Sequence, residues 1–409
     1  MYLDYWYNYI MRQVEKHVIK KTHKFWQEID DLAFKSKNLF NLANYEYRQH
    51  FFATGKTLGL PNLYHKLKDT DAYRALPTKV SKQIIKNLTE VWTGYVQAHK
   101  DWTKNPHKYL GEPRIPKYKD KTKGRNIVIY PDESIYKKTL KDGICHLSMS
   151  SIKIQTQIKV IDSVRIIPTN SAYVIEIIYE KQESEQSSSL YIAGIDLGIS
   201  NLVALSSNQP GFTPLLINGR KLKSINQFFN KCKAQLQSQL KGNQKISKRI
   251  KGLTDKRNSV VDNFMHVTSK RVVDILKTCD IGTLVIGKND GWKQNVAIGK
   301  SNNQQFTQIP HAKLIEKITY KAQLAGIKVI TINESYTSKT SALDLEQPVK
   351  HSTYFGKRVK RGLFKSATGI VWNADINGSC QIIRKYAPDA FRQEELVRLA
   401  VNPILVNPV

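Results

Sequence analysis

The sequence predicts a two-part architecture, with an α/β domain in the C-terminal half preceded by a small β-barrel that carries a helical insertion. Two apolar runs, residues 283–286 and 328–332, flank a helical pattern at 310–325, which is the order of a strand-helix-strand unit. Short strand patterns alternate with turn residues over residues 127–180, as is typical of a small barrel. A mostly polar stretch, residues 182–190, has the composition of a linker between the two halves.

Residues 1–24, which include a basic strand pattern, are expected to begin the barrel, and residues 109–181 are expected to complete it. Between them, residues 25–108 are expected to form the helical insertion. Apolar side chains recur there at helical spacing, over residues 28–52 and again over residues 78–102. We interpret the apolar stripe of the second helix as core, because stripes at this spacing are usually buried.

Prolines and cations alternate over residues 113–119. Proline fixes the backbone in an extended path, and such a path exposes Arg114, Lys117 and Lys119 without a helix. Side chains presented in this way are suited to contact with nucleic-acid phosphates. We therefore expect a nucleic-acid contact here, with a plain solvated loop as the alternative.

The C-terminal half begins with an apolar strand that ends near Asp196, followed by Gly198 and a second apolar strand. This order predicts an antiparallel hairpin with Asp196 at its centre. A carboxylate in that position needs a partner, and in a basic protein a divalent metal ion that also touches phosphate meets the need. The alternative is an aspartate that only serves the turn.

A second carboxylate, Asp375, lies near the other end of the chain. Asn373 is expected to begin a helix, which places Asp375 in its first turn. Small side chains at Gly378 and Ser379 let this helix lie close against a sheet. The sequence therefore predicts that Asp375 faces Asp196.

The charge of the chain indicates the kind of partner. Sixty-four Lys and Arg stand against 34 Asp and Glu, a formal net charge of +30, which suits a polyanion. Ribosomal or membrane-surface binding also involves basic proteins, but 20 Tyr and 6 Trp favour nucleic acid, because bases stack on aromatic faces. The 409 residues are enough for two or three domains.

The four cysteines are far apart and none belongs to a Cys-x-x-Cys pair. This spacing argues for a reducing compartment and against disulfides. The first residues lack the basic and apolar regions of a secretory signal, and no run of about 18 apolar residues occurs. We therefore expect neither export nor a membrane partner.

Residues 191–204 and 369–383 resemble the first and third RuvC motifs of the TnpB family, the transposon-encoded RNA-guided nucleases related to type V CRISPR effectors. The resemblance extends over most of the chain, through further landmarks at residues 14–21, 36–41, 113–119, 286–289 and 292–294.

The resemblance implies an RNase H-like RuvC nuclease domain over residues 191–384, preceded by a wedge-type β-barrel with an inserted helical recognition domain. Within the nuclease domain it implies an inserted helical pair at 222–278 and a target-binding loop region at 336–368. Residues 385–409 are assigned to a C-terminal tail.

The resemblance also exposes a missing acid. Most family members carry Glu at the end of the strand that here ends in Gly287. Neighbouring strands lie about 4.8 Å apart, so Glu334, at the end of the next strand, is expected to reach across the vacated space. Asp290 is the fallback acid. The alternative is that Glu334 pairs with a nearby cation and the site is inactive.

Two further regions are basic enough to contact nucleic acid. The first part of the second helix of the pair is strongly cationic, with only Asp255 offsetting six cations there. The loop near residue 360 and Lys339 add a second basic region. The cations expected to bind nucleic acid in these regions are Lys245, Lys248, Arg249, Lys251, Lys256, Arg257, Lys339, Lys357, Arg358, Lys360 and Arg361.

Family members often carry two Cys-x-x-Cys pairs that bind zinc between the second and third acidic motifs. This chain has no cysteine between Glu334 and Asp375, and His351 alone is insufficient, so no structural zinc is expected.

From the resemblance, Asp196, Glu334 and Asp375 are expected to bind Mg²⁺ or Mn²⁺ and cleave double-stranded DNA beside a short flanking motif. A guide RNA from the transposon end would choose the target. Two alternatives remain, an RNA-guided repressor without cleavage and an RNA-independent junction resolvase or transposase-like enzyme. The expected location is the prokaryotic cytoplasm, in association with the nucleoid, and the sequence leaves monomer and dimer equally open.

Overall fold

The computed structural model describes residues 10–289 and 300–408, and the chain divides into two compact units, Arg12–Lys181 and Gln182–Val409 with Met1–Met11. The fallback acid Asp290 and the landmark at residues 292–294 lie outside the described residues. Within the described part of the chain, no helix combines the length and apolar character that crossing a bilayer requires.

Two long helices and several short strands make up the first unit. In chain order its elements are β1 (Ile10–Ile19), α1 (Trp26–Thr54), α2 (Leu60–Leu67), α3 (Asp71–Arg74), α4 (Thr78–Lys104), β2 (Val128–Pro131), α5 (Lys137–Lys141), β3 (Ile144–His146), β4 (Lys153–Gln155), β5 (Ser163–Pro168) and β6 (Tyr173–Gln182).

The helical part of the first unit is organised around the contact between α1 and α4, and both predicted helices are confirmed. Trp92 of α4 is fully buried and stacks on Tyr47 of α1 with 4.5 Å between ring centroids. Its indole N–H donates a hydrogen bond to Asn44 Oδ1 over 2.9 Å. The apolar stripe of α4 is therefore core, as the helical spacing predicts.

The strands of the first unit form a sheet in the order β1-β6-β5-β2 and a separate hairpin of β3 and β4. The spacing of the short strands predicts one barrel. Among the described residues the strands instead form an open sheet and a separate hairpin. Since β3 and β4 have only three residues each, the ladder they form with each other is short.

The second unit is a mixed α/β domain. Its elements are β7 (Ile192–Leu197), β8 (Asn201–Ser207), β9 (Leu215–Asn218), α6 (Arg220–Ser238), α7 (Lys248–Thr278), β10 (Thr283–Gly287), α8 (Lys300–Gln308), α9 (His311–Leu324), β11 (Lys328–Ile332), β12 (Lys357–Lys360), β13 (Leu363–Lys365), β14 (Val371–Asn373), α10 (Ala374–Tyr386), α11 (Gln393–Leu399) and β15 (Ile404–Val406).

The main sheet of the second unit has the strand order β11-β10-β7-β8-β9-β15. Strands β7, β10 and β11 are parallel, whereas β7, β8 and β9 form an antiparallel meander. The predicted strand-helix-strand unit is confirmed as β10, α9 and β11. The C-terminal residues, which carry no assignment from sequence beyond a tail, supply α11 and the edge strand β15.

Helix α10 lies directly against β7 because glycine occupies the contact on both elements. A Cβ atom at Gly378 of α10 would lie 2.6 Å from Asp196 Oδ2, and one at Gly194 of β7 would lie 2.5 Å from the Ser379 carbonyl oxygen. Real Cβ atoms do not approach other atoms so closely. The predicted close approach of this helix to a sheet is confirmed.

Replacing Trp92 with Ala is expected to lower the free energy of unfolding of the first unit by about 3–5 kcal/mol, because it removes a fully buried ring and the hydrogen bond to Asn44. Val91→Ala on the same helix is the control, since Val91 is 41% exposed and its loss should change stability by less than about 0.5 kcal/mol. Urea unfolding followed by circular dichroism measures both. Equal midpoints for the two variants would contradict the assignment of Trp92 to the core.

Candidate functional site

The ends of three parallel strands bring polar residues to one edge of the main sheet. Asp196 is the penultimate residue of β7, and Gly287 ends β10 opposite Ile332 of β11. Glu334 follows two residues after the end of β11. Since the carboxyl ends of parallel strands meet at the same edge, Asp196, Gly287 and Glu334 share that edge.

The side chain of Glu334 occupies the space beside Gly287. A Cβ atom at Gly287 would lie 2.9 Å from Glu334 Oε2 and 2.5 Å from Ile382 Cδ1 of α10. Glycine at position 287 is therefore what leaves room for the Glu334 carboxylate. The reach of Glu334 toward this space agrees with the interpretation of the sequence, although its role remains a prediction.

Asn289 holds the backbone and the side chain of Glu334 together. Its Nδ2 donates to Glu334 Oε1 over 3.2 Å, and its Oδ1 accepts from the Glu334 N–H over 3.1 Å. The second carboxylate oxygen, Oε2, is buried and has no hydrogen-bond partner among the described residues. Burial raises the pKa of Glu334.

Asp375 lies in the first turn of α10, as the sequence predicts. Asn373 begins this helix as its N-cap and accepts hydrogen bonds from the N–H groups of Asp375 and Ile376 over 2.9 and 3.1 Å. Asn201 Nδ2 donates to Asp375 Oδ2 over 2.7 Å, and Arg358 Nη2 lies 3.9 Å from Asp375 Oδ1. The carboxylate is thus held between an amide and a guanidinium.

The pKa of Asp196 responds to burial and to the two other carboxylates of the site. Burial, followed by the negative charges of Glu334 and Asp375, raises the pKa of Asp196 to about 8, while the charge of Arg358 opposes the shift. Like charges at one site disfavour ionisation unless a cation balances them. Ionisation of Asp196 at this edge of the sheet is therefore disfavoured unless a cation is present.

The donor set at this edge fits magnesium, a hard cation that prefers oxygen ligands. Within residues 10–289 and 300–408, no group of three or more His, Cys, Asp or Glu side chains is arranged to hold a metal ion by itself. Magnesium is usually bound by only one or two carboxylates together with water and phosphate oxygens. The unpartnered Oε2 of Glu334 and the raised pKa of Asp196 are consistent with such a shared site.

The proline-rich segment of the first unit is held along α1 by polar side chains. Asn41 exchanges two hydrogen bonds with the backbone of Lys119, at 2.9 and 2.8 Å, and Asn44 Nδ2 donates to the Pro116 carbonyl over 3.2 Å. The buried Lys37 donates to the Lys121 carbonyl over 2.6 Å. The side chains of this segment expected to contact nucleic acid are exposed, namely Arg114, Lys117 and Lys119.

Most of the cations predicted on the helical pair are exposed, but Arg257 is different. Its guanidinium donates to Asn226 Oδ1 over 2.9 and 2.7 Å and to the Gln308 carbonyl over 2.8 Å, so it connects α6, α7 and α8. Helix α7 begins at Lys248 with Ser247 as its N-cap, so Lys245 lies before the helix. The exposed cations are Lys245, Lys248, Arg249, Lys251 and Lys256.

The third basic group lies beside the carboxylates. Lys339, Lys357 and Arg358 line a cavity of about 360 Å³. Arg358 also approaches Asp375, so this cavity adjoins the carboxylate edge. Lys360 and Arg361 are exposed at the turn between β12 and β13.

Asn201 and Asn289 orient carboxylates of the site, and the sequence interpretation assigns them no role. Asn201 begins β8, and Asn289 follows two residues after the end of β10, so a position at a strand terminus is the signal available in the sequence. Asparagine is also common in turns at such positions, so its presence alone does not distinguish the two roles.

Two family models match the second unit and the residues just before it. The OrfB_IS605 family, described as a probable transposase, matches residues 176–293, and the Cas12f1-like TNB domain matches residues 311–382.

Two relatives and one solved structure extend the similarity. The chain is 24% identical over 393 residues to the TnpB-like protein ORF457 of Acidianus two-tailed virus, covering 87% of this chain and 82% of that protein. It is 26% identical over 176 residues to the CRISPR-associated endodeoxyribonuclease Cas12f2 of a Micrarchaeota archaeon, covering 41% of this chain and 31% of that protein. The fold is similar to that of the protein in a Cas12f1-sgRNA-target DNA complex, with a TM-score of 0.53 at 15% identity, covering 87% and 83% of the two chains.

The raised pKa of Asp196 predicts how stability depends on pH. The unfolded chain loses this proton near pH 4, whereas the folded protein retains it until about pH 8, so the free energy of unfolding falls as pH rises between these values. Asp196→Asn removes the effect. The free energy of unfolding of Asp196→Asn should change relative to that of the parent as pH rises from 4 to 8. At pH 8 it should exceed the parental value by at least about 1 kcal/mol more than it does at pH 4, because one pKa unit corresponds to about 1.4 kcal/mol.

Thermal unfolding in EDTA across this pH range measures the difference, with the exposed Asp389→Asn as the matched control. A constant offset between the parent and Asp196→Asn at every pH would contradict the interpretation.

Proposed function

We propose that this chain, which belongs to the TnpB family, is an RNA-guided DNA endonuclease of a transposable element. The observation that carries the proposal is the meeting of three carboxyl groups, because Asp196 lies against α10, Asp375 lies in the first turn of that helix, and Glu334 fills the space beside Gly287. Burial, followed by the charges of Glu334 and Asp375, accordingly raises the pKa of Asp196. Mutually repelling carboxylates are typical of sites that hold divalent cations against phosphate.

The partners follow from the relatives. The Cas12f1 protein of similar fold is named in complex with a single-guide RNA and target DNA, and the Cas12f2 relative is named an endodeoxyribonuclease. We infer a guide RNA and double-stranded target DNA for this chain as well. Its formal net charge of +30 and its exposed cations on α7 support two polyanionic partners.

In this proposal Asp196, Glu334 and Asp375 would hold Mg²⁺, and the bound ion would supply activation of water and stabilisation of the leaving oxygen of the phosphodiester. The chain itself supplies orientation. Asn289 donates to Glu334 Oε1, while Oε2 is left without a hydrogen-bond partner among the described residues. Asn201 holds Asp375 Oδ2 in the same way. Mutation of such partners of metal-binding carboxylates typically lowers metal affinity or activity by about 10–100-fold.

We further assign the second unit to the RNase H-like RuvC class and the first unit to the wedge and recognition parts of such enzymes. The strand order of the main sheet and the position of Asp196 on the β7–β8 hairpin support the first assignment. The hydrogen bonds between α1 and the proline-rich segment support the second, because they hold Arg114, Lys117 and Lys119 on a fixed backbone. Base pairing would choose the target, and the protein would read the flanking motif.

An RNA-guided repressor is the second candidate, and one observation favours it. Gly287 stands where the family resemblance implies an acid, and within the described residues no three carboxylates are arranged to hold a metal ion by themselves. The two candidates differ in one measurable property, which is cleavage.

The test uses the full chain copurified with the RNA encoded downstream of its gene and plasmids that carry a randomised flank. We expect cleavage in Mg²⁺ and none in EDTA. Binding without cleavage would favour the repressor, and cleavage of branched DNA by RNA-free protein would favour a junction resolvase.

Glu334→Gln is expected to lower the rate of cleavage by more than about 100-fold, because outer-shell partners of metal ligands already cost 10–100-fold. Asp196→Ala should be at least as severe. The matched control is Glu316→Gln, an exposed glutamate on α9 that should leave the rate unchanged. Cleavage by Glu334→Gln at the parental rate would refute the displaced acid.

The double variant Gly287→Glu, Glu334→Ala tests the same idea by gain of function. It returns the acid to the strand end while removing the carboxylate that a side chain at position 287 would meet at 2.9 Å. We expect it to recover part of the cleavage lost in Glu334→Ala. A double variant less active than Glu334→Ala would show that the position of the acid is not interchangeable.

Lys251 and Arg257 of α7 should separate RNA binding from stability. Lys251 is exposed, so Lys251→Ala should weaken RNA binding and reduce the slope of log affinity against log salt by about 1, with no change in melting temperature. Arg257→Ala should instead lower the melting temperature, because it removes hydrogen bonds to Asn226 and Gln308. Filter binding over a salt series and thermal unfolding measure the pair, and the reverse pattern would contradict both assignments.

A further inference from the structure

The segment between Glu334 and β12 is held in place without helices or strands. Residues 335–356 contain only turns and irregular backbone, yet Thr340, Ser341 and Ala342 are completely buried. Buried backbone of this kind needs hydrogen-bond partners, since each unsatisfied group costs free energy. The segment also contains no cysteine.

Glu346 supplies one set of these partners from inside the segment. It is only 4% exposed, and its two carboxylate oxygens accept from two distant backbone groups. Oε2 accepts from the Ser341 N–H over 2.7 Å, and Oε1 accepts from the Phe355 N–H over 3.1 Å. One side chain therefore closes residues 341–355 into a ring.

Helix α10 supplies the other set through side chains spaced along one face. Asn377 bonds to both the Thr340 carbonyl and the Ala342 N–H, each over 2.9 Å. Gln381 Nε2 and Arg384 Nη1 donate to the Glu346 carbonyl over 2.9 and 2.6 Å. Positions 377, 381 and 384 are neighbours on a helix surface, so they form one continuous row.

The backbone at Leu345 shows that these contacts impose a conformation. Leu345 has φ of +51°, in the left-handed region that leucine rarely adopts, and its side chain is 38% exposed. Its carbonyl accepts from Arg384 Nη2 over 2.8 Å. A strained conformation persists only where its surroundings determine it, and here the determinant is the row on α10.

The ring is connected to the candidate site at both of its ends. Phe355, held by Glu346, precedes Gly356, which packs so closely on Phe364 of β13 that a Cβ atom would lie 2.3 Å from the ring. Strand β12 follows and carries Arg358, which approaches Asp375. Asp375 itself lies two residues before Asn377 on the helix that holds the other side of the ring.

We propose that Glu346 is a positioning residue, which closes this segment without a metal ion and fixes Arg358 relative to Asp375. Its carboxylate sets where β12 begins, and the row on α10 ties the same ring to the helix that carries Asp375. This role goes beyond the proposed nuclease function, because the closure itself requires no substrate.

Hydrogen exchange of residues 335–356 in the full chain tests the closure. Glu346→Gln replaces one acceptor oxygen with an N–H donor that faces a backbone N–H, so the segment should exchange about tenfold faster or more. Glu346→Asp, which keeps the carboxylate, should exchange more slowly than Glu346→Gln. The parent should exchange equally with and without EDTA, and the exposed Glu394→Gln is the matched control.

Three results would overturn the proposal. They are faster exchange of the parent in EDTA, parental exchange in Glu346→Gln, and an equal increase in every peptide of the second unit. Gln381→Met provides a milder variant that keeps side-chain volume and removes one donor to the ring, and it should raise exchange in the same segment alone.

A kinetic comparison then separates positioning from general stability. In Glu346→Gln the cleavage rate at saturating target should fall by about tenfold or more, on the order of one lost hydrogen bond. The affinity of the RNA-bound protein for target DNA should change by less than about threefold. Equal losses in rate and affinity would overturn the positioning role. The exchange measurement needs no cleavage, so the closure can be refuted or upheld even if the parent proves to be no nuclease.

Discussion

The contact between α10 and β7 is the constraint on which the second unit depends. Gly378 and Gly194 remove the two side chains that would otherwise separate helix and strand. The Asp196 carboxyl group consequently lies against the helix and is desolvated. Asp375 lies in the first turn of the same helix, and its charge contributes to the raised pKa of Asp196. A longer distance would admit water, and water would screen the repulsion that distinguishes this site.

The charges of the second unit are arranged in two zones of opposite sign. Acidic groups meet at the end of the parallel strands, whereas α7 and the β12–β13 hairpin carry groups of exposed cations. A polyanion is attracted by the cationic groups and repelled by the acidic one. A small cation bound to the acidic groups would balance their charge, so that one strand of nucleic acid could contact both zones. The charge distribution therefore agrees with the proposed function.

The sequence was informative where a local pattern determines the outcome. The periodicity of α1 and α4, the N-terminus of α10 at Asn373 and the close approach at Gly378 each depend on neighbouring residues and are confirmed. The expected barrel depended on how β3 and β4 pair over a distance, and the spacing of short strands does not determine that pairing.

Parts of the candidate site escaped the sequence for the same reason. Asn201 is 174 residues away in sequence from Asp375, to which it donates a hydrogen bond, and Asn289 is 45 residues away from Glu334. No local sequence motif predicts either contact. Arg257 is one of six cations whose pattern in the sequence predicts a solvated face. Its guanidinium instead donates hydrogen bonds to Asn226 and Gln308, which belong to other helices. Glu334 was inferred only because a vacancy at Gly287 was compared with an adjacent strand end, and its role remains a prediction.

The contact between Gly287 and Glu334 has an evolutionary consequence. A side chain at position 287 and the carboxylate of residue 334 compete for the same volume, so a chain that carries both acids has to move the Glu334 side chain away from position 287. The residues at these two strand ends are therefore coupled through shared space. Under the proposed function, the two positions should covary as alternatives among related sequences.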